Sequence, residues 1–463
     1  MKDRVPTYPG RVRLTHVSDD IYDMSMEDEP TEIGTPLSKS TLLKDSTAAK
    51  YGFQPQDNPT PDDIFNAAFD SLAVVRLDGV WTSHDIARFD AQNLSSAGEE
   101  LAGGSIGGYA VFAGAGGNAS VDAYGESYLR TTAPQLSVAR ESLACASNGT
   151  YLLFAGGLTT SSRSAVVDAY DETLTRTTAP QLSAARAWLA GATVGNHAIF
   201  AGGDTGSSNS GIVESYDDGL TRTVMPSLDQ WRSFLSGTST DDYAIFAGGG
   251  YSTKSAIVDA YDTFLTHVSA TQLSVARTEL SGASVGGYAL FAGGDRGSNS
   301  SINIASPVVD SYDSFMTRTT ATSLSTARYE LAGVSIDGFA IFAGGRTDSS
   351  SDYALAKVDA YDTSLTRRSL PDLSAARRGL AGSAAGDSAV FAGGFSSYSA
   401  QDSVDAYKMA YGLNLTIPAW SKYSIAGVST GEQLALENTN VSALADTPFN
   451  GYIKRGFILS GEI

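Results

Sequence analysis

The chain has 463 residues, and its 31 basic and 51 acidic side chains give a formal net charge of −20. With 42% apolar and 18% charged residues, the composition is that of a folded protein and not of a disordered one. The acidic balance disfavours DNA or RNA as a partner, since phosphate binding needs a basic surface. The single cysteine, Cys145, excludes an intrachain disulfide and any cysteine-built metal centre.

The first 75 residues do not repeat, and we expect them to form a separate extended and helical segment. Residues 1–36 are polar and interrupted by prolines, which favours an extended chain. A helix is expected at 37–51, and a second one after Thr60, which would cap it with Pro61 at the first helical position. Residues 76–97 are predicted to be a linker. No apolar stretch of signal-peptide or membrane-spanning length occurs, so we expect a soluble protein that ordinary signals do not export.

Three short sequence motifs of this segment resemble the N-termini of tail or other structural proteins of phages and prophages of Firmicutes-type bacteria. They are Val5-Pro6-Thr7-Tyr8-Pro9-Gly10-Arg11-Val12, Asp28-Glu29-Pro30-Thr31 and Gly34-Thr35-Pro36-Leu37. The resemblance implies that this part of the chain docks to a virus particle.

An internal repeat occupies most of the remaining chain. The tripeptide Phe-Ala-Gly begins at Phe112, Phe154, Phe200, Phe246, Phe291, Phe342 and Phe391. A tyrosine follows each tripeptide at a similar distance, at Tyr124, Tyr170, Tyr216, Tyr261, Tyr312, Tyr361 and Tyr407. A third word, Leu-Ser-x-Ala-Arg-x-x-Leu-Ala-Gly, precedes each tripeptide in more or less complete form. Seven copies of about 46 residues therefore indicate seven structural units.

Each unit is predicted to contain four short antiparallel strands. In the fifth unit, 280–285 is a strand, Gly286-Gly287 is a two-residue hairpin turn, and the apolar run 288–292 is a strand buried on both faces. In the fourth unit, 257–261 and 265–268 are the third and fourth strands. Four strands for this repeat length are typical of a propeller blade and not of a helical solenoid.

These words resemble kelch repeats, in which an apolar run leads to a double glycine and then to a tyrosine. The resemblance implies a seven-bladed kelch-like β-propeller over residues 98–418. With the small N-terminal anchoring segment and a short extension at 419–463 that contains strand-like runs, we predict an all-β protein. The kelch tryptophan is absent, which leaves the packing of the outer strand open. We expect the seventh unit to take its fourth strand from residues 413–417.

Two positions after the repeated arginine differ in chemistry from unit to unit. The kelch resemblance implies that they surround one mouth of the central channel. Aromatic side chains can stack there on sugar or peptide faces, and carboxylates can accept hydrogen bonds from hydroxyls. The alternative is that these positions vary because they are merely exposed. The candidate ligand-binding residues are Glu99, Glu100, Glu141, Trp188, Phe234, Glu279, Tyr329, Glu330 and Arg378.

The repeated arginines themselves have two interpretations. A ring of them could bind an anionic ligand. Alternatively, each one serves its own blade by bonding backbone carbonyls or a third-strand carboxylate such as Asp168. We favour the second interpretation. The residues are Arg140, Arg186, Arg232, Arg277, Arg328 and Arg377.

No catalytic residue, metal or cofactor is predicted. Kelch-type copper oxidases hold one metal on the propeller axis with a cysteine, tyrosines and histidines, and nothing in this sequence matches that set. The Ser-x-Asp-x-Gly-x-x-Trp box of sialidases is also absent. His197 and His267 each replace a repeat residue and are interpreted as packing variants, and Cys145 as a small buried filler. The loops between second and third strands vary in length, and we interpret them either as specificity loops or as spacers.

We therefore expect a non-enzymatic, virion-associated protein of a phage tail, baseplate or fibre, assembled in the host cytoplasm. Its N-terminal segment would contact other virion proteins, and its propeller would bind a host-surface glycan or protein, without membrane insertion; a homo-oligomer is left open. The alternatives are a decoration protein without receptor activity, an intracellular kelch interaction scaffold, and a carbohydrate-active enzyme.

Overall fold

The computed structural model describes residues 86–250, 253–297, 303–347, 353–396 and 398–409 with their side chains. Elsewhere it describes the backbone of strands only, and the helices expected at 37–51 and after Thr60 lie outside the described residues. The chain divides into two compact units, Asp85–Met409 and a second one made of Met1–His84 and Ala410–Ile463. No helix in the described ranges has both the length and the apolarity needed to cross a lipid bilayer.

The unit Asp85–Met409 is a propeller of seven antiparallel sheets, in which four strands follow one another in chain order within blades 1 to 6. Blade 1 consists of Ala102–Ile106, Tyr109–Ala113, Val121–Tyr124 and Arg130–Thr132. Blade 2 consists of Ala144–Ser147, Leu152–Ala155, Val167–Tyr170 and Arg176–Ala179. Blade 3 consists of Ala190–Val194, His197–Ala201, Val213–Tyr216 and Arg222–Met225. Blade 4 consists of Ser236–Ser239, Tyr243–Ala247, Val258–Asp262 and His267–Ser269. Blade 5 consists of Ser281–Val285, Tyr288–Ala292, Val309–Tyr312 and Arg318–Ala321. Blade 6 consists of Ala332–Ile336, Phe339–Ala343, Val358–Asp362 and Arg367–Leu370. The predicted all-β class and the seven blades are confirmed.

Blade 7 is completed by a strand that precedes the first repeat. Its first three strands are Ala381–Ala385, Ser388–Ala392 and Val404–Thr416, and its fourth is Val75–Asp90. Arg88 Nη1 donates to Asp405 Oδ1 at 2.7 Å, and the Ala91 N–H donates to the Val404 carbonyl at 3.2 Å. The strand thus occupies much of the stretch predicted to be a linker, and it pairs the two ends of the repeat region in one sheet.

The expectation that residues 413–417 supply the fourth strand of blade 7 is wrong. Leu413 lies in the continuation of the third strand and pairs with Leu436. The fourth position of the blade is already taken by Val75–Asp90, so the segment has no free edge of this blade to occupy.

The core lies between adjacent blades, because both faces of each second strand are apolar and buried. Leu153 and Ala169 of blade 2 pack in one cluster with Phe200 and Tyr216 of blade 3. Within every blade the repeated phenylalanine and tyrosine contact each other edge to face, with ring centroids 5.8–6.1 Å apart. The two repeat words therefore recur together because their aromatic rings form one packing unit.

The hairpin turns between first and second strands agree with the sequence prediction. Gly286 and Gly287 have φ angles of +55° and +81°, in the left-handed region that glycine adopts without steric cost. They join Ser281–Val285 to Tyr288–Ala292, which pair in register from Val285 and Tyr288 outward.

In the second unit, Val12–Ser18 pairs antiparallel with Ile21–Met26, so residues 1–36, expected to be extended, contain a hairpin. Pro448–Lys454 pairs with the first part of Val75–Asp90 and with Phe457–Ile458. Gln433–Asn438 pairs with the end of Val404–Thr416.

Candidate functional site

Seven residues, one from each blade, form a closed ring of backbone hydrogen bonds just before the first strands. Each N–H donates to the carbonyl of the equivalent residue in the preceding blade at 2.9–3.2 Å, and the Glu100 N–H donates to Gly379 to complete the circle. We call this set the axial ring. Its members are Glu100, Ser142, Trp188, Phe234, Glu279, Glu330 and Gly379.

All seven residues of the axial ring have a left-handed backbone, with φ between 52° and 58°. Only Gly379 is a glycine, so six side chains are held in a conformation that L-residues rarely adopt. Because every N–H and carbonyl of the circle is paired, the hydrogen bonds supply a physical reason for this conformation.

The structure brings the predicted mouth residues together. Five of the nine lie on the axial ring, and the other four, Glu99, Glu141, Tyr329 and Arg378, lie immediately before a ring residue. The ring itself, with its shared φ, was not predicted from the sequence. Its only sequence signal was the variability of these positions beside an otherwise repeated word. The binding role of the nine residues stays a prediction.

One side of the axial ring is aromatic. The rings of Trp188 and Phe234 stack, with centroids 5.2 Å apart and an interplanar angle of 28°, and both side chains are half-buried. The guanidinium of Arg163 lies 5.6 Å from the centroid of Trp188, and its Nε donates to Asp204 at 3.1 Å. This side therefore offers a rigid, partly exposed aromatic face.

The next part of the ring is a salt-bridged cluster. Arg378 Nη1 donates to Glu99 Oε2 at 2.8 Å and to Glu330 Oε2 at 3.1 Å, and Arg346 Nη2 donates to Glu330 Oε1 at 2.5 Å. Glu330 is thus neutralised from both sides by charge-assisted hydrogen bonds. Glu99 keeps a raised pKa because burial outweighs the effect of Arg378.

Three further carboxyl groups form no ion pair with a described residue: Glu100, Glu141 and Glu279. Glu100 accepts a short hydrogen bond from the Ser142 hydroxyl. Burial, followed by the negative charge of Glu330, raises the pKa of Glu279 to about 7. Burial and the neighbouring carboxylates of Glu100 and Glu99 also raise the pKa of Glu141. The axial ring therefore carries one carboxyl group, that of Glu279, whose pKa lies near neutral pH.

Tyr329 does not face the mouth as an accessible ring, because its side chain is fully buried. Arg346 covers it at 4.8 Å from the centroid, and its hydroxyl accepts a hydrogen bond from Asn303 Nδ2 at 3.2 Å. Burial raises the pKa of Tyr329 to about 12. These contacts assign it to the support of the loops beside the ring.

The repeated arginines are structural, as the favoured interpretation predicted. All six are fully buried, and each places Nη2 2.6–3.0 Å from a third-strand carboxylate of its own blade. In blade 2, Arg140 also donates to the Phe154 carbonyl at 3.0 Å. In blade 1, Gly98 replaces the arginine, and Asp122 keeps the hydrogen bonds from the backbone and hydroxyl of Ser95, a contact that the equivalent serines also make in blades with the arginine. An anionic ligand has no access to these guanidinium groups.

The first strands line a cavity of about 230 Å³ that is open to solvent. Hydroxyl groups lining it join neighbouring blades: the Thr193 N–H donates to Ser239 Oγ at 2.8 Å, and the Ser284 N–H donates to Ser335 Oγ at 2.7 Å. The sequence analysis did not identify this hydroxyl belt, although a serine or threonine recurs two residues after the glycine position of most first strands.

Cys145 lines the same cavity and is partly exposed to it. Burial raises the pKa of its thiol, so the sulfur stays protonated at neutral pH. Gly104 of blade 1 makes room for it, since a Cβ there would lie 2.4 Å from Cys145 Sγ. Cys145 fills a glycine position, as the interpretation of a small buried filler expects, but it is only partly buried.

No protein-family model matches the chain, and no curated protein matches its sequence. Solved structures do match it in three dimensions. One of them, described as the structure of YjhT, is 11% identical and has a TM-score of 0.46. The match covers 61% of this chain and 99% of that one.

Proposed function

We propose that the chain is a non-enzymatic protein of a phage particle whose propeller binds a host-surface glycan at the axial ring. The observation that supports this most is the stacked, half-exposed pair of Trp188 and Phe234 on the same ring as Glu100 and Glu279. Sugars present C–H faces that pack on aromatic rings and hydroxyls that donate to carboxylates. The mouth offers both groups within one circle of residues.

The place of the protein on a particle is proposed from the N-terminal segment. Its words resemble phage and prophage structural proteins, and residues 1–75 lie outside the propeller unit Asp85–Met409. In this proposal the segment contacts other tail proteins, and the mouth contacts the host surface. The virion is accordingly the proposed location.

The glycan proposal is tested by replacing the aromatic pair with serine. Serine already stands at an equivalent position of the axial ring, at Ser142 with φ of 54°, so Trp188→Ser and Phe234→Ser suit the backbone. We expect each variant to bind host-surface polysaccharide about tenfold or more weakly in a pull-down or calorimetric titration, with loss of about 1–3 kcal/mol for a stacked ring. No turnover of the polysaccharide is expected.

Phe264→Ser is the matched control, because Phe264 is 87% exposed in the turn before the fourth strand of blade 4 and lies off the ring. Its binding should equal that of the wild type. Unchanged binding in both ring variants would refute the aromatic mouth as the glycan site.

Docking is tested by deleting residues 1–60, which leaves the closing strand Val75–Asp90 in place. The truncated chain should fold, with an unfolding transition like that of the full chain, and should be missing from purified particles. If particles still contain the truncated protein at the normal level, the docking role of this segment is wrong.

A further inference from the structure

Blade 4 differs from the other blades at the buried third-strand carboxylate. In five blades this carboxylate lies between a buried arginine that precedes the first strand and a second arginine of the fourth strand. The sets are Asp168 with Arg140 and Arg176, Glu214 with Arg186 and Arg222, Asp310 with Arg277 and Arg318, Asp359 with Arg328 and Arg367, and Asp405 with Arg377 and Arg88.

Two positions around Asp259 of blade 4 are changed together. His267 replaces the second arginine, with its Nε2 2.7 Å from Asp259 Oδ1. Asp229 replaces the serine whose N–H binds the carboxylate elsewhere, and its own N–H donates to Asp259 Oδ1 at 3.0 Å. The serines of the other blades are Ser95, Ser137, Ser183, Ser274, Ser325 and Ser374.

The two replacements reverse the local charge. Two arginines and one carboxylate give +1 in blades 2, 3, 5 and 6, whereas in blade 7 Arg88 also pairs with Asp90. In blade 4, Arg232 and the carboxylates of Asp229 and Asp259 give −1 when His267 is neutral. One divalent cation at this place would give the charge of +1 that blades 2, 3, 5 and 6 have.

The side chains also provide a suitable set of ligand atoms. One atom each from Asp229, Asp259 and His267 lie within 4.8 Å of one another. Imidazole nitrogen with carboxylate oxygen is the donor set of zinc and related first-row ions, and not that of Mg²⁺ or Ca²⁺. Asp259 is fully buried and fixed by Arg232 on Oδ2 at 2.6 Å, which leaves Oδ1 toward His267.

The surroundings allow an ion to enter and be held. Asp229 is exposed, so the group opens to solvent, and Ser269 Oγ donates to Asp229 Oδ2 at 3.0 Å. The ring of Tyr261 lies 5.2 Å from that of His267, and its hydroxyl donates to the Pro226 carbonyl at 2.9 Å. A serine hydroxyl behind a carboxylate ligand is the kind of outer partner that orients metal ligands.

We propose that Asp229, Asp259 and His267 bind one divalent transition-metal ion of the zinc class in blade 4. This site is separate from the axial ring and independent of glycan binding. It also gives His267 a role that the sequence interpretation, a packing variant without metal, did not include.

The test uses the full chain, dialysed against EDTA and then titrated with ZnCl₂ by calorimetry, with thermal unfolding measured in parallel. The wild type should bind one Zn²⁺ at this site and unfold at a higher temperature with Zn²⁺, but not with the same concentration of MgCl₂. The double variant Asp229→Ser with His267→Arg installs the residues of the other blades. It should lose about tenfold or more in Zn²⁺ affinity and lose the thermal shift.

Two further variants keep the result interpretable. Asp229→Asn changes one exposed side chain, so it should fold normally and still weaken Zn²⁺ binding. His197→Tyr restores the repeat residue in blade 3 and should bind Zn²⁺ like the wild type; His16 and His84 remain in every variant as a common background. The proposal would be overturned if the wild type did not bind Zn²⁺, or if Asp229→Asn and the double variant bound Zn²⁺ as tightly as the wild type does.

Discussion

Residues of the axial ring combine an unfavourable backbone with side chains that, except for the buried Ser142, are half-buried or exposed. A left-handed conformation at a residue other than glycine costs about 1 kcal/mol or more, and six of the seven ring positions adopt it. The variable positions beside the repeated arginine could be found in the sequence by comparing units with one another. Their shared φ could not, because glycine, the usual signal for such a backbone, occurs only at Gly379.

Glu279 gives the pH prediction at this scale. Its pKa is about 7 in the fold against an ordinary value of 4.5, so the folded state holds its proton more tightly than the unfolded state does. Stability from this group is therefore complete below pH 4.5 and is lost as the pH rises through 7. Glu279→Gln should be more stable than the wild type at pH 8, by about 1–3 kcal/mol, with little difference at pH 4.5.

Urea unfolding of both proteins at the two pH values measures this difference. Glu172→Gln, which changes an exposed side chain of a blade 2 turn, is the control and should match the wild type at both. An equal gain at pH 4.5 and pH 8, or a loss at pH 8, would show that Glu279 does not titrate as described.

At the scale of strands, the repeated motifs predicted most of the strands and turns, because each motif has its own structural role. The apolar run forms the second strand, the glycines form the hairpin, and the tyrosine packs on the phenylalanine. The fourth strand of blade 4 was expected at 265–268 and is observed at His267–Ser269. The reason is the preceding turn, in which Leu265 has φ of 62° and Asp262 Oδ1 accepts the Thr266 N–H at 2.8 Å.

The closing strand was missed, although a signal for it was present. In blades 1 to 6, the fourth strand begins with an arginine or histidine, and the leucine that opens the next Leu-Ser motif follows six residues later. Arg176 and Leu182 are one such pair. Leu94 follows Arg88 at the same distance. The motif at Leu94 therefore has a fourth strand in front of it, and that strand pairs with the third strand of blade 7.

At the scale of the whole propeller, blade 7 takes three strands from the end of the repeat region and one from its beginning. This pairing brings Gly379 of the last blade next to Glu100 of the first, where the circle of backbone hydrogen bonds closes. The number of blades followed from counting words in the sequence. The closure did not, since it depends on pairing between segments more than 300 residues apart, such as Arg88 and Asp405.

Closure of the ring is the central claim, because it holds the mouth residues in one circle. The direct test compares thermal unfolding of two truncated chains, one lacking residues 1–74 and one lacking residues 1–90. The first retains the closing strand and should unfold in one transition. The second loses that strand and the Arg88–Asp405 ion pair, and its midpoint should fall by about 10 °C or more, with a broadened transition. Identical transitions in the two chains would contradict the closure described here.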